Sequence, residues 1–202
     1  MKKRVLFLSL ALVLVLMALT PAIAFAGDNR GHSQSAATDF TGSGLLFVTC
    51  FPEPEIKGNI HRYHEEIVEG FLDTCDWEPL AGTAFWSTHD SSVRVDEQGN
   101  LEGIMRGNFT LTRLDGSVLA GTFTGRIQGN LDPYTGFISD TGTWQSTSGT
   151  GVFEGVRAWG KWSTDLAPGL IPGTDIGSFV GPVTWEGKYI EHNKRCHGCS
   201  LF

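Results

Sequence analysis

Val93, Val95, Leu101, Met105, Phe109 and Leu111 all fall on odd numbers, with Gly103 and Gly107 in the same frame. Arg94, Glu102, Arg106, Asn108, Thr110 and Thr112 take the even positions. A period of two that survives the turn between Asp96 and Asn100 predicts two antiparallel strands sharing one apolar face. Leu119, Gly121, Phe123, Gly125 and Ile127 carry the same parity into a third strand. Parity also selects the hairpin that joins the last two. A two-residue Asp115-Gly116 loop sets Leu111 across from Ala120 and splits the large apolar residues between two faces. A three-residue loop, Leu114-Asp115-Gly116, pairs Arg113 with Ser117, Leu111 with Leu119, Phe109 with Gly121 and Gly107 with Phe123, so that each ring lies over a glycine. The expectation is a type I turn with Gly116 left-handed in a G1 bulge.

Leu45 to Phe51 is a continuous apolar run bounded by Gly44 and Pro52, the pattern of a buried strand. His61 to Asp73 reads as a strand with Tyr63, Glu65, Ile67, Glu69 and Phe71 on one face, or as two helical turns burying Ile67, Val68, Phe71 and Leu72. Gly70, which costs about 1 kcal/mol relative to Ala inside a helix, favours the strand. A second aromatic group, Trp77, Phe85 and Trp86, surrounds the turn signals Pro79 and Gly82. Phe137 to Thr147 returns as a strand after the turn at Asn130 to Gly136, and Phe179, Gly181, Val183, Trp185 and Tyr189 alternate once more. These runs amount to about eight strands separated by turn signals, with no clear helix, which predicts an all-β sandwich or a small antiparallel barrel. Glycines alternating with bulky residues on the apolar face favour the antiparallel β-barrel, because closing strands must bend.

Between Thr141 and Trp162 glycines are interleaved with Trp144, Phe153, Trp159 and Trp162, a strand, tight turn and strand. Its centre, Ser148-Gly149-Thr150-Gly151-Val152-Phe153-Glu154-Gly155, resembles the G-[ST]-G-x-F-x-G segment of the allene oxide cyclase and dirigent-type barrels and of related bacterial secreted barrels. The similarity is strongest from Asn108 to Ser163. It implies a calycin-type barrel whose lumen binds apolar molecules and, in some members, steers a cyclisation. Within the structural motif Gly149, Gly151, Phe153 and Gly155, it implies that Phe153 plugs the barrel near its turn and that Gly151 and Gly155 stand where a side chain would clash. The catalytic carboxylates of those enzymes lie outside the matching segment, so no catalytic residue carries over and enzymatic activity stays open.

Two groups of candidate residues follow. If the odd face of His61 to Asp73 points inward, Glu65 and Glu69 share one side of a lumen strand, where desolvation raises carboxylate pKa values and suits them to proton transfer. The competing reading is an exposed charged face. His61 and His64, three apart, converge on a helix and not on a strand, so no metal site and no cofactor is expected. For the lumen, Met105, Phe109, Leu119, Phe123 and Trp144 beside Gly103, Gly107, Gly121 and Gly125 place bulk next to emptiness, and predict an apolar ligand cavity opening at one barrel end.

Compartment and charge narrow the partners. Residues 1–26 combine Lys2, Lys3 and Arg4, an apolar run from Val5 to Leu19 and Ala24-Phe25-Ala26, the pattern of a secretory signal cleaved after Ala26. That run is shorter than the ~20 residues a membrane anchor needs. Residues 27–39 read as a disordered leader, 40–190 as the barrel and 191–202 as a tail ending in Cys196-His197-Gly198-Cys199. Losing the three basic residues of the signal leaves 12 Lys and Arg against 22 Asp and Glu, a net charge of −10. Neither nucleic acid nor, after cleavage, a membrane is then the expected partner. Outside the cytosol four cysteines imply disulfides; Cys50 with Cys75 and Cys196 with Cys199 is one of three possible pairings. Three functions remain: a secreted barrel binding a small apolar or aromatic molecule, an isomerase or cyclase of the allene oxide cyclase type, and an extracellular interaction or structural module with a filled lumen.

Overall fold

The computed structural model describes residues 36–130, 132 and 134–191. The chain runs through β1 (Thr38–Cys50), β2 (Glu55–Lys57), β3 (Ile60–Cys75), β4 (Thr83–Val95), β5 (Asn100–Thr112), β6 (Val118–Asn130), β7 (Phe137–Gly149), β8 (Arg157–Leu170) and β9 (Gly177–Ile190). Single 3-10 turns at Glu78–Leu80 and Gly151–Phe153 are the helical pieces among the described residues. The strands order as β1-β9-β8-β7-β6-β5-β4-β3, all antiparallel, and β1 pairs back onto β3 to close an eight-stranded barrel. Short β2 stays outside, along the first residues of β3 that β1 does not reach. Closure removes the open edges that invite aggregation. The expected all-β antiparallel barrel is therefore what the chain forms. Its first strand begins at Thr38, two positions ahead of the expected boundary at Phe40. The signal segment, most of the leader and all of the tail but Glu191, with Cys196 and Cys199, lie outside the described residues.

The hairpin between β5 and β6 follows from parity as argued. Leu111 faces Leu119, Phe109 faces Gly121 and Gly107 faces Phe123. Arg113 N–H donates to the Ser117 carbonyl at 2.9 Å and Gly116 N–H to the Arg113 carbonyl at 3.0 Å, with Gly116 at φ 84°. Only glycine adopts that conformation without strain.

One end of the barrel is sealed by aromatic packing. Trp77 stacks on Tyr189 with centroids 4.2 Å apart and planes 6° from parallel, while Phe40 and Phe153 close on the same indole at 5.3 and 5.8 Å. Phe153, delivered by the 3-10 turn between β7 and β8, is fully buried. It packs edge-on against Trp77 at this end. The turn holds because Gly151 has φ 60° and a Cβ there would sit 2.1 Å from Ser117 Oγ. Gly155 is left-handed too, at φ 76°.

The expected Cys50–Cys75 bridge is absent. Cys50 lies across from Ile67 and Cys75 across from Gly42 in one antiparallel ladder, so the two thiols stand at opposite ends of it. From Gly42 to Cys50 at about 3.4 Å per residue they are roughly 27 Å apart, far beyond the ~7 Å limit between bridged Cα atoms.

Candidate functional site

A single bulge in β3 decides which carboxylate enters the lumen. Tyr63 faces Ser91 and Glu66 faces His89, so His64 and Glu65 together oppose Asp90 alone. Glu65 sits at φ 58°, the one left-handed non-glycine residue among those described. The Asp90 carboxylate accepts the Glu65 backbone N–H at 3.2 Å and stands 3.5 Å from His64 Nδ1, which holds the extra residue in place. A one-residue insertion reverses the side-chain frame of everything after it. Tyr63 points inward before the bulge; Glu66 and Leu72 point inward after it.

The consequence corrects the expected acid pair. Glu65 lies exposed on the bulge, and Glu69, opposite outward-facing Trp86, is only half-buried. The buried carboxylate is Glu66, at 3% exposure. Its cross-strand neighbour His89, 7% exposed, brings Nε2 to 3.3 Å from Glu66 Oε2, an ion-pair distance without hydrogen-bond alignment. His89 has room because its other neighbour is Gly107, whose Cβ would fall 2.5 Å from the His89 Cβ. Phe123 covers the imidazole edge-on at 5.8 Å. Asp140 on β7, 5% exposed, completes the group. Burial first, then the negative charge of Glu66 and of Asp165, pushes the Asp140 carboxyl well above the usual carboxylate range. Burial and Glu66 also raise the Tyr63 phenol.

Beside these groups remains a chamber of about 40 Å³ walled by Leu46, Val68, Phe85, Met105, Phe123 and Leu166, and edged by Ser87, His89, Asp140, Trp162, Thr164 and Trp185. Five buried polar atoms here have no hydrogen-bond partner in the protein: Glu66 Oε2, His89 Nδ1, Asp140 Oδ1 and the indole nitrogens of Trp162 and Trp185. A broader, open recess of about 1410 Å³ is bordered mostly by exposed side chains, Arg106, Arg126 and Lys161 among them, and does not enclose this group.

Of the residues expected to wall a ligand cavity, Met105 and Phe123 do so, whereas Phe109, Leu119 and Trp144 are packed into the filled core beyond it. The glycine positions are not empty. A Cβ at Gly121 would lie 2.5 Å from the Phe109 ring, one at Gly125 2.9 Å from the Trp162 ring and one at Gly103 2.8 Å from a Val93 methyl. Neighbouring side chains lean into each vacancy, which fills the space that the sequence pattern left for a ligand. Among the described residues no group of three or more His, Cys, Asp and Glu is placed to hold a metal ion. No protein-family model matches the chain, and no curated protein matches it.

Proposed function

We propose that this protein is a secreted β-barrel that binds a small molecule in its lumen, at the Glu66, His89 and Asp140 group. The observation that carries the reading is the burial of three ionisable side chains, Glu66, His89 and Asp140, the last two at the edge of one chamber. A core that serves only to fill the barrel has no use for them: each buried ion costs several kcal/mol, and native interiors leave few polar atoms unsatisfied. The wall is otherwise apolar with a few polar groups at its edge, the composition of small-molecule sites.

The chamber is small. Typical ligand pockets measure about 300–1,000 Å³, so the occupant is compact, or only one end of it enters. A second reading, an isomerase or cyclase as the resemblance to the allene oxide cyclase barrels implies, draws on one observation. Asp140, its carboxyl pushed upward by burial, stands near Glu66 and His89, which brings candidate acid and base groups into one dry site. Native mass spectrometry of the protein secreted with its own leader tests both. The expected result is a chain beginning at Gly27 with a bound small mass that is released on denaturation. A bare chain mass, with no compound recovered by solvent extraction, overturns lumen binding and leaves the filled-lumen module.

A further inference from the structure

Barrel closure leaves one edge open. Every other strand has a neighbour on both sides, whereas β2 pairs with β3 alone among the described residues. Glu55, Ile56 and Lys57 are all exposed, Ile56 at 64%. The tight turn Gly58-Asn59, with Gly58 at φ 64°, joins β2 to β3. In a hairpin with a two-residue loop the pair beside the turn, here Lys57 and Ile60, is the hydrogen-bonded one. Ile56 and His61 then form a non-bonded pair, so Ile56 aims its N–H and C=O away from β3 at the free edge. Glu55 and Lys57 share the face that carries Arg62, and Ile56 takes the opposite one.

Open edges are commonly blunted by lysine, by proline or by shortness. Lys57 stands on this one, yet Glu55 sits two positions away on the same face. We infer that the β2 edge pairs with the β2 edge of a second copy of this chain, antiparallel about a two-fold axis at Ile56. Ile56 then exchanges its N–H and C=O bonds with Ile56 of the second copy. Glu55 meets Lys57 of the second copy, and Lys57 meets Glu55, so every charge on the shared face lies opposite its counterpart. A parallel arrangement would set Glu55 on Glu55. Pro54, which has no N–H, and left-handed Gly58 limit the contact at either end. It falls short of the ~1,000 Å² of stable interfaces, so the association is weak. Two-fold pairing consumes both edges and stops at the dimer.

Nitrogen-edited NMR of the mature protein tests this in a dilution series up to about 1 mM, with dithiothreitol keeping exposed Cys50 unlinked. The expected result is a tumbling time that lengthens with concentration and a saturable shift of the Ile56 amide. Glu55→Lys and Lys57→Glu each set like charges face to face and should weaken association about tenfold or more. The double variant carries the same pair in reverse order and should recover it. An equimolar mixture of the two single variants should associate more tightly than either alone. Ile56→Pro removes the outward N–H and leaves the ladder to β3, so it should abolish association without moving the barrel amides. Tumbling that is independent of concentration overturns the inference and leaves the edge to a strand of a different protein. So does association with an unmoved Ile56 amide, association of Ile56→Pro or of the single variants as tight as wild type, or a folded double variant that stays monomeric.

Discussion

Removing one member of the Glu66–His89 pair should destabilise the barrel far more than removing both. The two side chains are 4% and 6% exposed, so solvent screens them little. In the state with His89 protonated and Glu66 ionised, two unit charges at 3.3 Å in an effective dielectric near 20 attract by about 5 kcal/mol, against a desolvation penalty of several kcal/mol for each ion. Attraction and penalty nearly cancel for the pair. With one partner gone, the survivor keeps its penalty and loses the attraction. Glu66→Leu and His89→Leu should therefore each cost about 3–5 kcal/mol, and the double variant should fall between neutral and mildly stabilising. Urea unfolding at pH 7 with a common slope measures all four corners of the cycle. Since domains of this kind have only about 5–15 kcal/mol in total, Glu66→Gln supplies a gentler third substitution with a smaller loss. Single substitutions costing under ~1 kcal/mol, or a double variant that costs the sum of the two, would mean that the groups are hydrated and independent, and the argument for a built lumen site would lose its base.

Three smaller perturbations test the frame around that pair. Gly121→Ala puts a Cβ 2.5 Å from the Phe109 ring and 2.3 Å from the Gln145 carbonyl oxygen, so urea titration should show a loss of about 1–3 kcal/mol, partly recovered by adding Phe109→Leu; no recovery would show that the ring is not the obstacle. Asp140 binds its proton more tightly folded than unfolded, so its contribution to stability is complete below the unfolded value near about 3.9 and fades as pH rises through the elevated folded one, each tenfold of proton affinity being worth about 1.4 kcal/mol. Asp140→Asn should remove that part of the decline and melt higher than wild type at pH 7; parallel pH–stability curves would contradict it. Glu65→Gly should stabilise by about 1 kcal/mol in thermal melts, because glycine takes φ 58° without strain, and Glu65→Val should do the reverse.

Where strands pair with their sequence neighbours through short turns, the chain was readable by parity alone. The odd frame from Val93 to Ile127 is buried as predicted, and the three-residue loop at Leu114 to Gly116 follows from it. His89 was within reach of the same reasoning, since it continues that odd frame backward from Val93, and Asp140 shares the even frame of Ile138 and Trp144. What parity did not convey was volume. Gly103, Gly107, Gly121 and Gly125 look like vacancies along a strand, yet in a closed barrel side chains lean over from adjacent strands. Phe109 covers Gly121, and Trp162 covers both Gly125 and Gly142. The pairing of cysteines failed for a related reason, because β1 and β3 meet only by closing the barrel, and their register is not encoded in either strand.

Glu66 was illegible for a different cause. A bulge announces itself in sequence when glycine or asparagine takes the left-handed position; here glutamate does, stabilised from outside by Asp90 across the ladder. Three departures from local rules thus occur in this barrel: a strained backbone at Glu65, a carboxylate buried beside an imidazole at Glu66 and His89, and polar atoms without hydrogen-bond partners at Asp140, Trp162 and Trp185. Deleting the extra residue would restore a regular ladder and relieve the backbone at Glu65, yet leave Glu66 across from His89 and facing the lumen. A strained residue kept beside a buried carboxylate is what a site where function opposes stability leads one to expect, and Glu66, in place of Glu65 and Glu69 that the odd frame selected, is the acid we propose for it.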